Sequence, residues 1–200
     1  SLSFKIYNAG DPIALSDILP RLENMGLKVV DETPTVVCPD GVQNPIYMHD
    51  FGLVTNGIAV DVNAIREVFH DSFARIWDGE MEDDGFNRLV LLARLDWREV
   101  VLLRAYFKYL HQTGIPFSQA YIETTLAMHP DVVRLLVQLF RLRFDPGFDG
   151  DRAGLEERLL TALNQELDRV SNLDEDRILR LYQNLIQSTL RTSYFQTDAD

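Results

Sequence analysis

The sequence has a single cysteine, few lysines and no long apolar run. Cys38 is the only cysteine in 200 residues, which excludes an internal disulfide and predicts a reducing, cytoplasmic setting. No stretch approaches the roughly 18 consecutive apolar residues of a membrane-spanning helix. The first residues show neither an initiator methionine nor a signal-peptide pattern, so we expect the chain to be a piece of a longer protein.

Positive charge is also scarce. Lysine and arginine total 19 against 31 aspartate and glutamate residues, for a net charge of −12. Such a surface repels phosphate backbones and anionic membranes, so neither nucleic acid nor a membrane is predicted as a partner. Cys38 follows an apolar Thr-Val-Val run, and we interpret it as a buried structural thiol.

Motifs for nucleotide binding and catalysis are missing. Neither G-x-G-x-x-G nor G-x-x-x-x-G-K-[ST] occurs, so no cofactor site is predicted within these residues. The pair His49-Asp50 is interpreted as a structural hydrogen-bonding element rather than a catalytic one. The histidines are too dispersed for metal-ligand spacing, and no catalytic or metal residue is assigned: His49, His70, His111 and His129.

One acidic loop resembles a calcium site in part. Asp145, Asp149, Gly150 and Glu156 fall on positions 1, 5, 6 and 12 of an EF-hand loop. Position 3 is Gly147, which offers no side-chain oxygen. A solvated acidic loop is the preferred interpretation, and ion binding between Asp145 and Glu156 stays open.

The first third of the chain alternates between the period of a strand and that of a helix. Gly26 stands where a helix C-terminal cap is expected, and Pro34 predicts an edge strand or two short pieces of strand. The order β-α-β-β-α predicts an α+β, ferredoxin-like unit. Its segments are strand Leu2–Tyr7, the helix beginning near Leu15, strand Leu27–Val37, strand Ile46–Val54 and helix Val62–Trp77.

The stretches Asp11–Leu19 and Met25–Asp31 resemble the first strand-turn-helix-strand of ACT domains. Those modules bind amino acids at the turn, which implies an effector site at Asn8, Gly10 and Asp11. Ile13 and Ala14 stand where such turns usually carry glycine, and their side chains narrow that space. A fourth ACT strand has two candidate fates, since Phe86–Leu91 fits a strand or a helix and its spacing favours helix.

The rest of the sequence predicts an all-helical unit that ends in an antiparallel helical hairpin. Asp96 and Glu99 form a capping box, Ser118 caps the next helix, and Pro130 suits a first helical turn. Two amphipathic helices follow, joined by Ser171-Asn172. The predicted domains are 1–85 (ACT-like), 86–150 (helical) and 151–196 (hairpin).

The segments Asp84–Arg88, Trp97–Tyr106 and Pro116–Glu123 resemble the bacterial NAD-specific glutamate dehydrogenases with long subunits. Members of that family oxidise L-glutamate to 2-oxoglutarate and ammonia with NAD. The resemblance implies a position upstream of the catalytic core, with Tyr194-Phe195-Gln196 as its approach. It carries over no catalytic residue.

The resemblance therefore implies a non-catalytic regulatory and assembly region, which is not an enzyme by itself. Its expected partners are the rest of the parent dehydrogenase chain, sister subunits and an amino-acid effector. NAD is expected in the parent enzyme and no cofactor in this segment. The alternative is an amino-acid sensor at the first strand–helix turn, and a self-contained enzyme finds no supporting constellation.

Overall fold

The computed structural model describes residues 2–38, 40–41, 44–55 and 60–196. The chain forms two compact units, unit 1 (Ser1–Leu91) and unit 2 (Leu92–Asp200). Within the described ranges, no helix combines the length and apolar character needed to cross a bilayer.

Unit 1 is a three-stranded antiparallel sheet with helices, which confirms the predicted α+β class and the ACT-like order. The strands lie in the order β1-β3-β2, so β3 is central and pairs with both neighbours. The elements are β1 (Leu2–Ala9), α1 (Leu15–Asn24), β2 (Lys28–Val37), β3 (Ile46–Val54) and α2 (Val62–Trp77).

One face of this sheet forms the core of unit 1. Phe4 on β1 lies opposite the fully buried Phe51 on β3. The ring of Phe4 packs edge-on against Phe69 and Phe73 of α2, with centroid distances of 5.4 and 4.9 Å. These contacts place α2 on the side of the sheet that the strand alternation predicts to be apolar.

Strand β2 lies at the edge of the sheet, as Pro34 predicts. Its pairing with β3 shifts register between Val29 and Asp31, where Val30 is the extra residue of a bulge. Cys38 follows β2 and is exposed, so the prediction of a buried thiol is wrong. An edge strand buries little of its end, whatever its local hydrophobicity.

The segment Phe86–Leu91 is helical, the fate its spacing favours. A 3₁₀ helix, η1, spans Gly85–Arg88, and the short helix α3 spans Leu89–Leu92. Asp84 starts the turn, because its carboxylate accepts a hydrogen bond from the N–H of Phe86 at 3.1 Å. This segment therefore contributes no fourth strand to the sheet.

Unit 2 consists of helices whose starts agree with the predicted caps. Helix α7 packs mainly along α6, whereas α8 packs on α5 and α6. Between α7 and α8, the amide of Gln183 donates to Asn164 Oδ1 at 3.2 Å. Both helices of the predicted hairpin therefore pack on α6, and α8 packs equally on α5. The helices are α4 (Trp97–Gln112), α5 (Gln119–Met128), α6 (Pro130–Phe144), α7 (Arg152–Leu167) and α8 (Leu173–Ser188).

The capping box of α4 provides a test of this local structure. Asp96 Oδ1 accepts from Glu99 N at 2.9 Å, and Glu99 Oε2 accepts from Asp96 N at 3.0 Å. We expect Asp96→Ala to lower the free energy of unfolding by about 1 kcal/mol, because it removes the acceptor for an N-terminal N–H group. Urea denaturation measures the change. Asp96→Ser keeps a capping oxygen and is the control, so an equal loss in both variants would contradict the capping role.

Candidate functional site

The three predicted effector residues, Asn8, Gly10 and Asp11, lie at the turn between β1 and α1. Hydrogen bonds within the protein already engage this turn. The side-chain amide of Asn8 donates to the carbonyl of Asp11 at 2.8 Å. The N–H of Gly10 donates to the carbonyl of Pro45 at 2.9 Å, and Gly10 has φ +100°, a conformation that favours glycine. Two of the polar groups predicted to meet a ligand are therefore already engaged by the protein.

A buried histidine ties this turn to the sheet. His49 on β3 is 5% exposed, and its Nε2 lies 3.2 Å from the backbone N of Ile13. Its Nδ1 lies 2.8 Å from Glu32 Oε1 on β2. Because the Ile13 N–H can only donate, Nε2 must accept, and Nδ1 must carry the proton that it donates to Glu32.

This arrangement agrees with the structural interpretation of His49. The sequence pattern nevertheless indicates neither of its partners, because Ile13 and Glu32 are distant along the chain. The only signal in the sequence is a histidine on an inward-facing position of a strand.

The assignment of the imidazole proton is directly measurable. We expect the neutral imidazole of His49 to be the Nδ1–H tautomer, because the Ile13 N–H occupies the lone pair of Nε2. Long-range ¹H–¹⁵N spectra of the imidazole nitrogens distinguish the two tautomers. Glu32→Gln is the matched control, since its amide oxygen still accepts from Nδ1–H and keeps the same tautomer. An Nε2–H tautomer of His49 in the unmodified chain would contradict the contact with Ile13.

The acidic loop before α7 is organised by arginine. A guanidinium nitrogen of Arg152 lies 3.0 Å from the carbonyl oxygen of Asp145 and 3.5 Å from that of Phe148. Glu156, the twelfth position of the predicted calcium loop, pairs with Arg143. The ion pair with Arg143 thus engages the Glu156 carboxylate, which would be the bidentate ligand of a calcium loop. Across the described ranges, no cluster of three or more histidine, cysteine, aspartate or glutamate residues is arranged to hold a metal.

In unit 2, the buried Tyr182 and the half-buried Tyr106 join α8 and the residue after it to α4. Tyr182 is fully buried, and its hydroxyl donates to the carbonyl of Leu103 at 3.2 Å. Burial raises the pKa of Tyr182 well above its ordinary value. The Tyr106 hydroxyl lies 2.9 Å from Thr189 Oγ1, which itself donates to the Leu185 carbonyl, so Tyr106 is the donor.

After α8, two aromatic residues of the chain pack against α6. We call this contact the tail anchor (Tyr194 and Phe195 on Phe140). The Tyr194 ring meets Phe140 edge-on at 5.2 Å, and the Phe195 ring stacks on it at 6.2 Å. Arg98 lies over the Tyr194 ring at 5.0 Å and donates to its backbone carbonyl. Burial, together with the negative charges of Asp96 and Glu99, raises the pKa of Tyr194 to about 12.

Charged side chains also lie inside unit 2. Glu99 is 7% exposed and accepts from Arg141 Nη1 on α6 at 2.9 Å. Burial and the adjacent Asp96 raise the pKa of Glu99. Arg104 on α4 is 3% exposed, a degree of burial that is rare for arginine. Periodicity cannot identify such residues, because it does not reveal which polar side chains find a buried partner.

Models of three protein regions match this chain. Residues 1–65 match the ACT3 domain of glutamate dehydrogenase, and residues 81–146 match its helical motif 3. Residues 162–200 match the catalytic domain of the bacterial NAD-glutamate dehydrogenase. The last match begins within α7 and includes α8, so these two helices of the predicted hairpin overlap the stretch similar to the catalytic domain.

Three curated relatives are similar over nearly the whole chain, and each is called an NAD-specific glutamate dehydrogenase. The protein of Halomonas elongata is 45% identical over 199 residues, which cover 98% of this chain. Those of Pseudomonas aeruginosa and Mycobacterium tuberculosis are 43% and 42% identical, over 100% and 96% of this chain. The chain spans 12% of the length of each of these relatives.

Proposed function

The chain belongs to the family of bacterial NAD-specific glutamate dehydrogenases, and we propose that it is a non-catalytic regulatory and assembly region of such an enzyme. The parent reaction converts L-glutamate, NAD and water into 2-oxoglutarate, ammonia and NADH. NAD and the catalytic residues belong to other parts of the longer enzyme. The partners of this region are the rest of the dehydrogenase chain and sister subunits.

The observation that carries this proposal is the packing of α8. This helix belongs to the stretch similar to the catalytic domain, while α4, α5 and α6 belong to the stretch similar to helical motif 3. Its buried residues pack in the same compact unit as those three helices, and Tyr182 bonds to the α4 carbonyl of Leu103. Because α8 packs with helices of the other stretch, we expect this region to fix the position of the first residues of the catalytic domain.

The tail anchor supports the same role. It fixes the chain just after α8 against α6 through Phe140 and against α4 through Arg98. The chain leaving this region therefore has a defined starting position. Motion of α4 or α6 in response to a regulatory signal would displace the segment that leads onward.

Variants of Tyr182 in the full-length enzyme test the assembly role. We expect Tyr182→Ala to destabilise the packing of α8 by about 3–5 kcal/mol, as for other large buried aromatic residues, and to abolish assembled, active enzyme. Tyr182→Phe removes only one hydrogen bond, costs about 1 kcal/mol and keeps activity. Size-exclusion chromatography and NAD-dependent glutamate oxidation provide the measurements.

The matched control is Tyr109→Ala, since Tyr109 lies on α4 and is 55% exposed. It is expected to leave assembly and activity unchanged. Full activity and unchanged size for Tyr182→Ala would contradict the assembly role. Glutamate oxidation by the isolated 200-residue chain would contradict the non-catalytic one.

A second candidate function is amino-acid sensing at the β1–α1 turn. Helix α1 starts after Ala14, which provides no side-chain cap, so a ligand carboxylate is chemically suited to its first N–H groups. A side-chain carbon at Gly10 would meet no atom within 4 Å, so space is open beside Asn8, Gly10 and Asp11. The N–H of Ile13 is not available to a ligand while His49 accepts from it.

A thermal-shift screen against amino acids tests the sensor. An effector at 100 times its dissociation constant is expected to raise the free energy of unfolding by about 2.7 kcal/mol. Asp11→Ala is expected to reduce that shift, whereas Glu67→Ala, which removes an exposed acid on α2, leaves it unchanged. The sensor function would be contradicted if no amino acid shifts the transition, or if Asp11→Ala has no effect on an observed shift.

A further inference from the structure

The two outer strands of the unit 1 sheet differ in how their free edges are protected. The free edge of β2 is interrupted by Pro34 and by the bulge at Val30, both of which oppose the addition of a strand. Strand β1 contains neither proline nor bulge, and all eight of its residues pair with β3 in register. Across the described ranges, no strand pairs with its other edge, although about half of its N–H and C=O groups face that way.

A cavity of about 350 Å³ lies beside β1. Consecutive residues Leu2–Lys5 all line it, although their side chains alternate between the faces of the sheet, so the cavity opens along the strand edge. The facing wall comes from α2 through Val62, Ile65 and Phe69, and the Arg66 guanidinium adds a positive charge. An unpaired backbone edge beside an apolar slot suits an extended segment with apolar side chains and a carboxylate.

We propose that β1 accepts an added strand from a segment of the longer enzyme that lies outside residues 1–200. The added strand pairs with the free backbone groups of β1 and places apolar side chains in the cavity, against Val62 and Ile65 of α2. This inference rests on the proposed function, because only a longer enzyme supplies such a segment. The chain spans 12% of its relatives, so ample sequence outside it is present in such an enzyme.

A second copy of β1 fits the site less well. The side chain of Phe4, which would have to enter the slot, already packs against Phe69 and Phe73 of its own α2. The segment Phe86–Leu91 is helical and does not supply a strand. A segment from elsewhere in the enzyme keeps its apolar side chains free for the cavity.

Hydrogen exchange in the full-length enzyme tests the pairing. With an added strand, nearly all amides of residues 2–9 are expected to exchange slowly, whereas an open edge leaves about half of them exchanging fast. Strand β2 is the internal control and is expected to keep its fast-exchanging fraction. A fast-exchanging half in β1 would overturn the proposal, and so would equal protection of both edges, which would indicate general burial.

A photo-crosslink identifies the source of the added strand. Tyr7 on β1 is 62% exposed, so its replacement by p-benzoylphenylalanine in the full-length enzyme is tolerated. A cross-link to a peptide outside residues 1–200 is the expected result. A cross-link to β1 of a second copy, or only to peptides within residues 1–200, would overturn it. The Tyr182 variants probe unit 2, so failure of the proposed function is recognised separately.

Discussion

The burial of α8 is the constraint on which unit 2 depends. Four residues on its inner face are fully buried: Ile178, Leu179, Tyr182 and Ile186. The hydroxyl of Tyr182 donates a hydrogen bond to the Leu103 carbonyl. Helix α8 covers apolar faces of α5 and α6, and its removal would expose those faces to solvent. The burial of α5 and α6 therefore depends on α8. The boundary between the stretches similar to helical motif 3 and to the catalytic domain is therefore no boundary in the packing.

Unit 1 has the ACT-like order of elements, but two backbone N–H groups of its β1–α1 turn are already hydrogen-bonded within the protein. In the proposed sensor, the ligand would meet backbone N–H groups of the β1–α1 turn, yet those of Gly10 and Ile13 are bonded to Pro45 and His49. On its other side, β1 has no pairing strand within the described part of the chain, and a cavity lies next to it. This distribution favours contact with protein over contact with a small ligand, in agreement with a region whose main partner is its own enzyme.

Local signals in the sequence proved reliable where they concern the backbone of a single element. The Asp96–Glu99 capping box, the Ser118 cap and Pro130 at the start of α6 are all present, because each depends only on neighbours within a few residues. Predictions that depend on distant neighbours were less reliable. Cys38 is exposed because β2 is an edge strand, although the apolar run before it predicts burial.

The sequence by itself determined the element order, most helix and strand limits and the family, since periodicity, capping residues and segment similarity are all properties of short stretches. Tertiary structure alone decided that His49 bonds Ile13 and Glu32, that α7 and α8 both pack on α6, and that β1 pairs with β3 alone among the described strands. These features join residues far apart in the chain. Their formation depends on which surfaces are buried together, a quantity that no local pattern contains.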